Sequence, residues 1–158
     1  MALANSFSNL PRAPTACADS SEYDVFLCHN SKDKEQVMVI ATKLKKRGIL
    51  PWLDVWEVRP GTRWQKELQR HLRLIKSVAV FIGARGPGPW QELEVELALE
   101  ELAKRGRPII PVILEGRKGE PRFPPFLELW HRVDMRQLNP DPFEMLVWGI
   151  TGEKPSGF

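Results

Sequence analysis

The chain has 158 residues, a length that predicts one domain with a short tail. Hydrophobic residues at 42% and charged residues at 27% exclude a wholly disordered chain, a coiled coil and a collagen, and no apolar run reaches the ~20 residues of a membrane-spanning helix. The net charge of +3, from 23 basic and 20 acidic residues, is too small a surplus to mark a nucleic-acid binder without a dense basic stripe.

Two cysteines, Cys17 and Cys28, are too few for a disulfide scaffold and read as free thiols in a reducing cytoplasm. His29, His71 and His131 are scattered without zinc spacing, so no metal is expected. The usage figures that stand out are 6 Trp against 1 Tyr, and 14 Pro.

Residues 1–21 are small, polar and interrupted by proline, without the apolar core of a secretory signal, and read as a flexible leader. The ordered domain is expected over 22–151, with a loose tail over 152–158. Tyr23–Cys28 reads as strand one. Asn30 or Ser31 can cap the helix that follows, whose first turn carries Asp33 and Glu35. Val37, Ile40, Ala41 and Leu44 give that helix its apolar face, and Lys45, Lys46 and Arg47 sit in its last turn.

Leu50–Leu53 is a short second strand, and its Pro51 favours an edge position. The turn-rich loop Asp54–Gly61 follows. Trp64, Leu68, Leu72 and Ile75 then line one face of a second helix. Val78–Ile82 is a continuous apolar run, as in a central strand covered on both faces. After the loop Gly83–Pro89 comes a third helix over Trp90–Arg105. Pro108–Leu114 is the next buried strand, and Glu115–Pro125 a polar loop. A turn at Phe126–Leu129, a strand near His131–Asp134 and a helix over Asp141–Ile150 complete the order, with Asp141 or Asn139 as the last cap. Alternation of this kind predicts an α/β fold: a five-stranded parallel sheet in the flavodoxin-like order 2-1-3-4-5, helices on both faces. Ligands of such sheets bind outside the carboxyl ends of the strands.

The third helix holds one carboxylate that its pattern does not explain. On a wheel of roughly 100° per residue, Glu92, Glu96 and Glu100 form a polar stripe. Trp90, Leu93, Val95, Leu97, Ala98, Leu99 and Leu102 fill a wide apolar arc, and Glu94 and Glu101 fall inside it. Glu101 has Arg105 four residues on as an ion-pair partner. Glu94 has no such partner in its own helix, only the helix N-terminus, which favours an ionised carboxylate. Either a cation from another element meets Glu94, or a cleft exposes it to a ligand.

The segments YDVFLCHNSKD, GILPWLDVWEVRPG, VAVFIGARGPGPWQELEVE and PIIPVIL, in this order, resemble the Toll/interleukin-1 receptor (TIR) domains, the bacterial members most. The resemblance implies the same flavodoxin-like fold. It also implies a reaction, since many TIR domains cleave NAD+ at the nicotinamide–ribose bond and use a glutamate four residues after a tryptophan in the third helix. Those positions are Trp90 and Glu94 here. NAD+ is then substrate, and no further cofactor is implied.

The loop Asp54–Gly61 matches the family's BB loop, which in relatives gates the nucleotide site and joins TIR domains to one another. The resemblance gives Trp56, Glu57 and Arg59 as substrate contacts, with Pro60-Gly61 forming the turn. Trp64 stands where relatives place a pocket aromatic. His29 and Asn30 replace a tyrosine and arginines that some relatives carry near the substrate, and Gly83 opens the loop toward Trp90. Relatives act in antiphage defence, are switched on by self-assembly, and are often linked to a sensor.

The competing reading is a non-catalytic interaction module, as in animal immune adaptors. A phospho-receiver is excluded by Cys28-His29-Asn30 and Gly83-Ala84, where it needs an acidic cluster and an aspartate. A Rossmann dehydrogenase is excluded because no G-x-G-x-x-G follows strand one.

Overall fold

The computed structural model describes residues 23–53, 59–84, 93–121 and 123–157, with the backbone alone for residues 64, 65, 93 and 94. Five parallel strands form one sheet: β1 Val25–Cys28, β2 Pro51–Trp52, β3 Val78–Ile82, β4 Ile109–Ile113 and β5 Val133–Asp134. Their order is β2-β1-β3-β4-β5. The helices are α1 Lys34–Lys46, α2 Trp64–His71, α3 Leu93–Lys104, the single turn α4 Pro125–Glu128, and α5 Pro142–Thr151. The expected leader and the segments 54–58 and 85–92 lie outside the described residues.

Continuous apolar runs become central strands because each face needs a cover. β3 and β4 are buried throughout and pair from Val78–Ile109 to Ile82–Ile113. Alternate side chains divide the core in two. On one face Phe26, Val78, Val80 and Ile82 meet Leu68 of α2 and Val95, Leu99 and Leu102 of α3. On the other, Val25, Leu27, Ala79 and Phe81 meet Val37, Ala41 and Leu44 of α1 and Leu146 and Val147 of α5. The edge strands are two residues each, so they offer little bare backbone to another chain. Pro51 lies on one of them, the edge position expected for it.

Asp141 caps the last helix as expected, whereas Asn30 caps a 3-10 turn over Ser31–Asp33 and α1 begins after it, at Lys34. Asn30 Oδ1 accepts from the Lys32 amide at 3.0 Å, and Asp141 Oδ1 from the Phe143 amide at 2.9 Å. Trp52 is fully buried and meets Phe26 edge to face at 5.1 Å, as a packing residue. No helix among the described residues is long and apolar enough to cross a membrane.

Three local expectations are corrected. Strand one starts at Val25, and Tyr23 forms an isolated bridge to Ile75 outside the named strands. The Asp24 carboxylate accepts from the Leu50 amide at 2.7 Å and from Lys76 Nζ at 3.3 Å, which interrupts the ladder there. The second helix stops at His71 and tightens into a 3-10 turn over Leu72–Leu74, so Ile75 is buried in extended backbone rather than on a helix face. Among the described side chains of α3 the buried ones are Val95, Ala98, Leu99 and Leu102. Leu97 is 55% exposed, and Glu101 is exposed and pairs with Arg105 at 3.2 Å. A helix buries only the width its sheet covers, so a wide apolar arc overstates the contact.

Candidate active site at the carboxyl edge of the sheet

In an alternating parallel fold the helices run back against the strands, so loops after strands and helix N-termini share one edge. Here that edge carries His29–Asp33 after β1, Arg59–Arg63 ahead of α2, Gly83 after β3, the start of α3, Glu115–Gly119 after β4 and Met135–Arg136 after β5. Glu94 is the second residue of α3 as described, four residues before the buried Ala98.

His29 is 9% exposed, and its Nδ1 lies 3.0 Å from the Leu27 carbonyl. A carbonyl only accepts, so Nδ1 carries the proton and Nε2 of the neutral ring is left as an acceptor. Asn30 spends its Oδ1 on the cap of the 3-10 turn Ser31–Asp33. The carbonyl of Arg59 accepts from the Thr62 amide at 3.1 Å and the Thr62 hydroxyl at 2.6 Å. Between them Pro60 and Gly61, the latter with φ of +90°, form the expected turn, since only glycine adopts that φ without strain. Trp64 opens α2. Trp56, Glu57 and Trp90 lie outside the described residues.

Gly83 has a role that the sequence does not show. A Cβ built on it would meet the Asp33 carboxylate closer than 3.0 Å, so Asp33 occupies the space that a side chain would fill. Asp33 is 5% exposed. The end of β3 and the turn after β1 are thus fitted to each other through one buried carboxylate. The sequence signalled Asp33 only as an acidic residue at a helix start.

Two arginines complete the edge. Arg117 Nη1 donates to the Gly83 carbonyl at 3.3 Å. Arg136 Nη2 donates to Asp134 Oδ2 at 2.8 Å and Nε to Asp134 Oδ1 at 2.9 Å. Hydrogen bonding from Arg136 holds the Asp134 carboxyl below its ordinary 3.8 against an opposing desolvation. On the far side, Arg47 lowers Glu144 from its ordinary 4.5 in the same way. A carboxylate whose folded pKa is depressed stabilises the fold above its unfolded value and loses that stability as pH falls through the folded one. Thermal unfolding is therefore expected to be flat from pH 7 to about 5 and to fall below about pH 4. Arg136→Gln should flatten part of the acid limb. An acid limb identical in that variant would remove Asp134 from the account.

The TIR domain family model matches residues 25–147. A curated relative, "NAD(+) hydrolase TcpA" of Theionarchaea archaeon (strain DG-70-1), is 28% identical over 95 residues. That alignment takes in 59% of this chain and 29% of the archaeal protein's length. Among solved structures, a metazoan TIR-STING receptor from C. gigas superposes with a TM-score of 0.66 at 17% identity, over 87% of this chain and 42% of its own. The TIR domain of the Toll-related receptor TRR-2 of Hydra magnipapillata gives 0.54 at 20% identity, over 71% and 83%. At such identities the structures speak to the fold alone. With its 2-1-3-4-5 parallel sheet and a family match across nearly all of the described residues, the chain belongs to the TIR domain family.

Proposed function

We propose that this domain cleaves NAD+ at the nicotinamide–ribose bond, releasing nicotinamide and either ADP-ribose, by addition of water, or a cyclic ADP-ribose isomer, by ring closure without water. The observation that carries the reading is the position of Glu94, in the first described turn of α3 at the carboxyl edge of the sheet. The likeness to an archaeal NAD(+) hydrolase supports it.

A single carboxylate suffices for this bond. Ordinary glycoside hydrolysis needs a second acid because the leaving group is a poor one. Nicotinamide in NAD+ is already cationic and departs neutral with the bonding pair. The ribose is left with oxocarbenium character, which an ionised Glu94 stabilises, hydrogen-bonding the ribose hydroxyls as it does so. Water then adds at the anomeric carbon and gives up a proton, or an adenine nitrogen closes the ring. Trp56, Trp64 and Trp90 are proposed as aromatic walls for the bases. His29, Glu57 and Arg59 are proposed as polar contacts. Asn30 and Gly83 shape the edge through the cap and the Asp33 seat. Self-assembly through Asp54–Gly61 is proposed to switch the reaction on, in the setting of antiphage defence.

The test is chromatography of NAD+ incubated with the purified chain at high protein concentration and under crowding. Nicotinamide should appear with one equivalent of ADP-ribose or of a cyclic ADP-ribose isomer. Intact NAD+ under assembling conditions would favour the non-catalytic interaction module instead.

A further inference from the structure

We propose that Arg136 is a positioning residue for this edge, acting through Arg117 on Gly83. Arg136 lies two residues past β5 and is partly buried. Its guanidinium meets both oxygens of Asp134, and its Nη1 also donates to the carbonyls of Arg117 and Gly119 at 3.0 and 2.8 Å. Asp134 Oδ1 accepts from the Arg136 amide as well, at 3.0 Å. Because Asp134 belongs to β5, the planar fork is aimed by the sheet itself. The loop after β4 is thereby pinned at two carbonyls, and Gln36 of α1 pins a third, that of Glu115, at 3.1 Å.

Arg117 rides on that pinned backbone. Its Nη1 reaches the Gly83 carbonyl, while its buried Nε finds no hydrogen-bond partner among the described residues. A buried donor left without a partner is unfavourable. The loop backbone, rather than the satisfaction of its own donors, therefore sets where this guanidinium sits. Gly83 closes β3 and begins the segment that leads to Glu94. The chain of contacts runs from β5 through Arg136, Arg117 and Gly83 to the departure point of the segment carrying the proposed catalytic carboxylate. Its kinetic consequence rests on the NAD+-cleavage reading, but the contacts do not.

Amide hydrogen exchange on the full chain tests the device without any substrate. In Arg136→Gln, the amides of Gly83 and Ala84 and those of 115–121 should exchange about tenfold faster or more, while those of α1 and β3 keep wild-type rates. Arg117→Gln leaves the Arg136–Asp134 pair intact and should quicken Gly83 and Ala84 only. It also decides the matter if Arg136→Gln fails to fold. In NAD+ cleavage each variant should lose about tenfold in kcat with KM within about twofold, the mark of misplaced chemistry rather than lost binding. The double variant should lose little more than either single one, because the two act in series. Arg136→Lys should not rescue kcat, since a point charge cannot span a carboxylate and two carbonyls. Wild-type exchange at Gly83 and Ala84 in both variants, or losses that multiply, overturns the proposal. A wild-type chain inert toward NAD+ overturns the cleavage reading instead, and exchange still decides the device.

Discussion

Glu94→Gln lowers nicotinamide release from NAD+ by an expected 10²–10³-fold or more, roughly the loss seen when one preorganised electrostatic group is removed from a transition state. Glutamine keeps the size and helix propensity of glutamate and removes only the charge. The substitution therefore separates chemistry from folding. The folded state should lose no more than about 1 kcal/mol, the usual worth of a carboxylate at a helix N-terminus. KM for NAD+ should move little, because the oxocarbenium charge that Glu94 stabilises exists only in the transition state. The measurement is kcat and KM by chromatography, beside a thermal melt of both proteins. Equal turnover by wild type and Glu94→Gln would remove this residue from the reaction. A parallel loss of folding would show that Glu94 meets a cation of the core instead.

The second large effect is expected at Gly83. Alanine there places a methyl group against the buried Asp33 carboxylate. Aspartate is short, and Asp33 closes a 3-10 turn capped by Asn30, so its carboxylate has little room to swing away. Forcing it from its seat adds overpacking to the loss of its polar contacts, about 1–3 kcal/mol from each source. Gly83→Ala is therefore expected to lower the denaturant midpoint strongly and to disturb the site edge with it. A double-mutant cycle assigns the cause. In an Asp33→Ala background the added methyl group has space, and Gly83→Ala should cost less than half of what it costs in the wild type. An equal cost in both backgrounds would show that the two residues do not compete for one volume.

Much of this molecule is legible locally. Val78–Ile82 and Pro108–Leu114 are apolar without a break, and both became strands covered on two faces. Asn30 and Asp141 stand ahead of helices as short polar residues, and both cap. Glu94 is conspicuous because it breaks a helical pattern. Less legible were features that depend on what lies opposite. Leu97 belongs to the apolar arc by periodicity yet is 55% exposed, because the sheet under α3 is narrower than the arc. Ile75 has helical spacing from Leu68 and Leu72, yet it bridges Tyr23 in extended backbone.

The sequence by itself determined the element order and the parallel 2-1-3-4-5 sheet, and it singled out Glu94 as a carboxylate without an ion-pair partner in its own helix. These follow from run length, periodicity and the handed connection of strand to helix to strand, all properties of short stretches of chain. Only the tertiary structure decided that Asp33 fills the space at Gly83, and that Arg136 reaches the carbonyl of Arg117, 19 residues earlier in the chain, while Arg117 reaches Gly83, 34 earlier. Loops after different strands meet only once the sheet has brought the strand ends side by side. Contacts between them depend on distances of a few ångströms that no periodicity encodes. Of the 6 tryptophans that stood out in the composition, Trp52 packs in the core against Phe26, a contact across two strands that composition alone does not show.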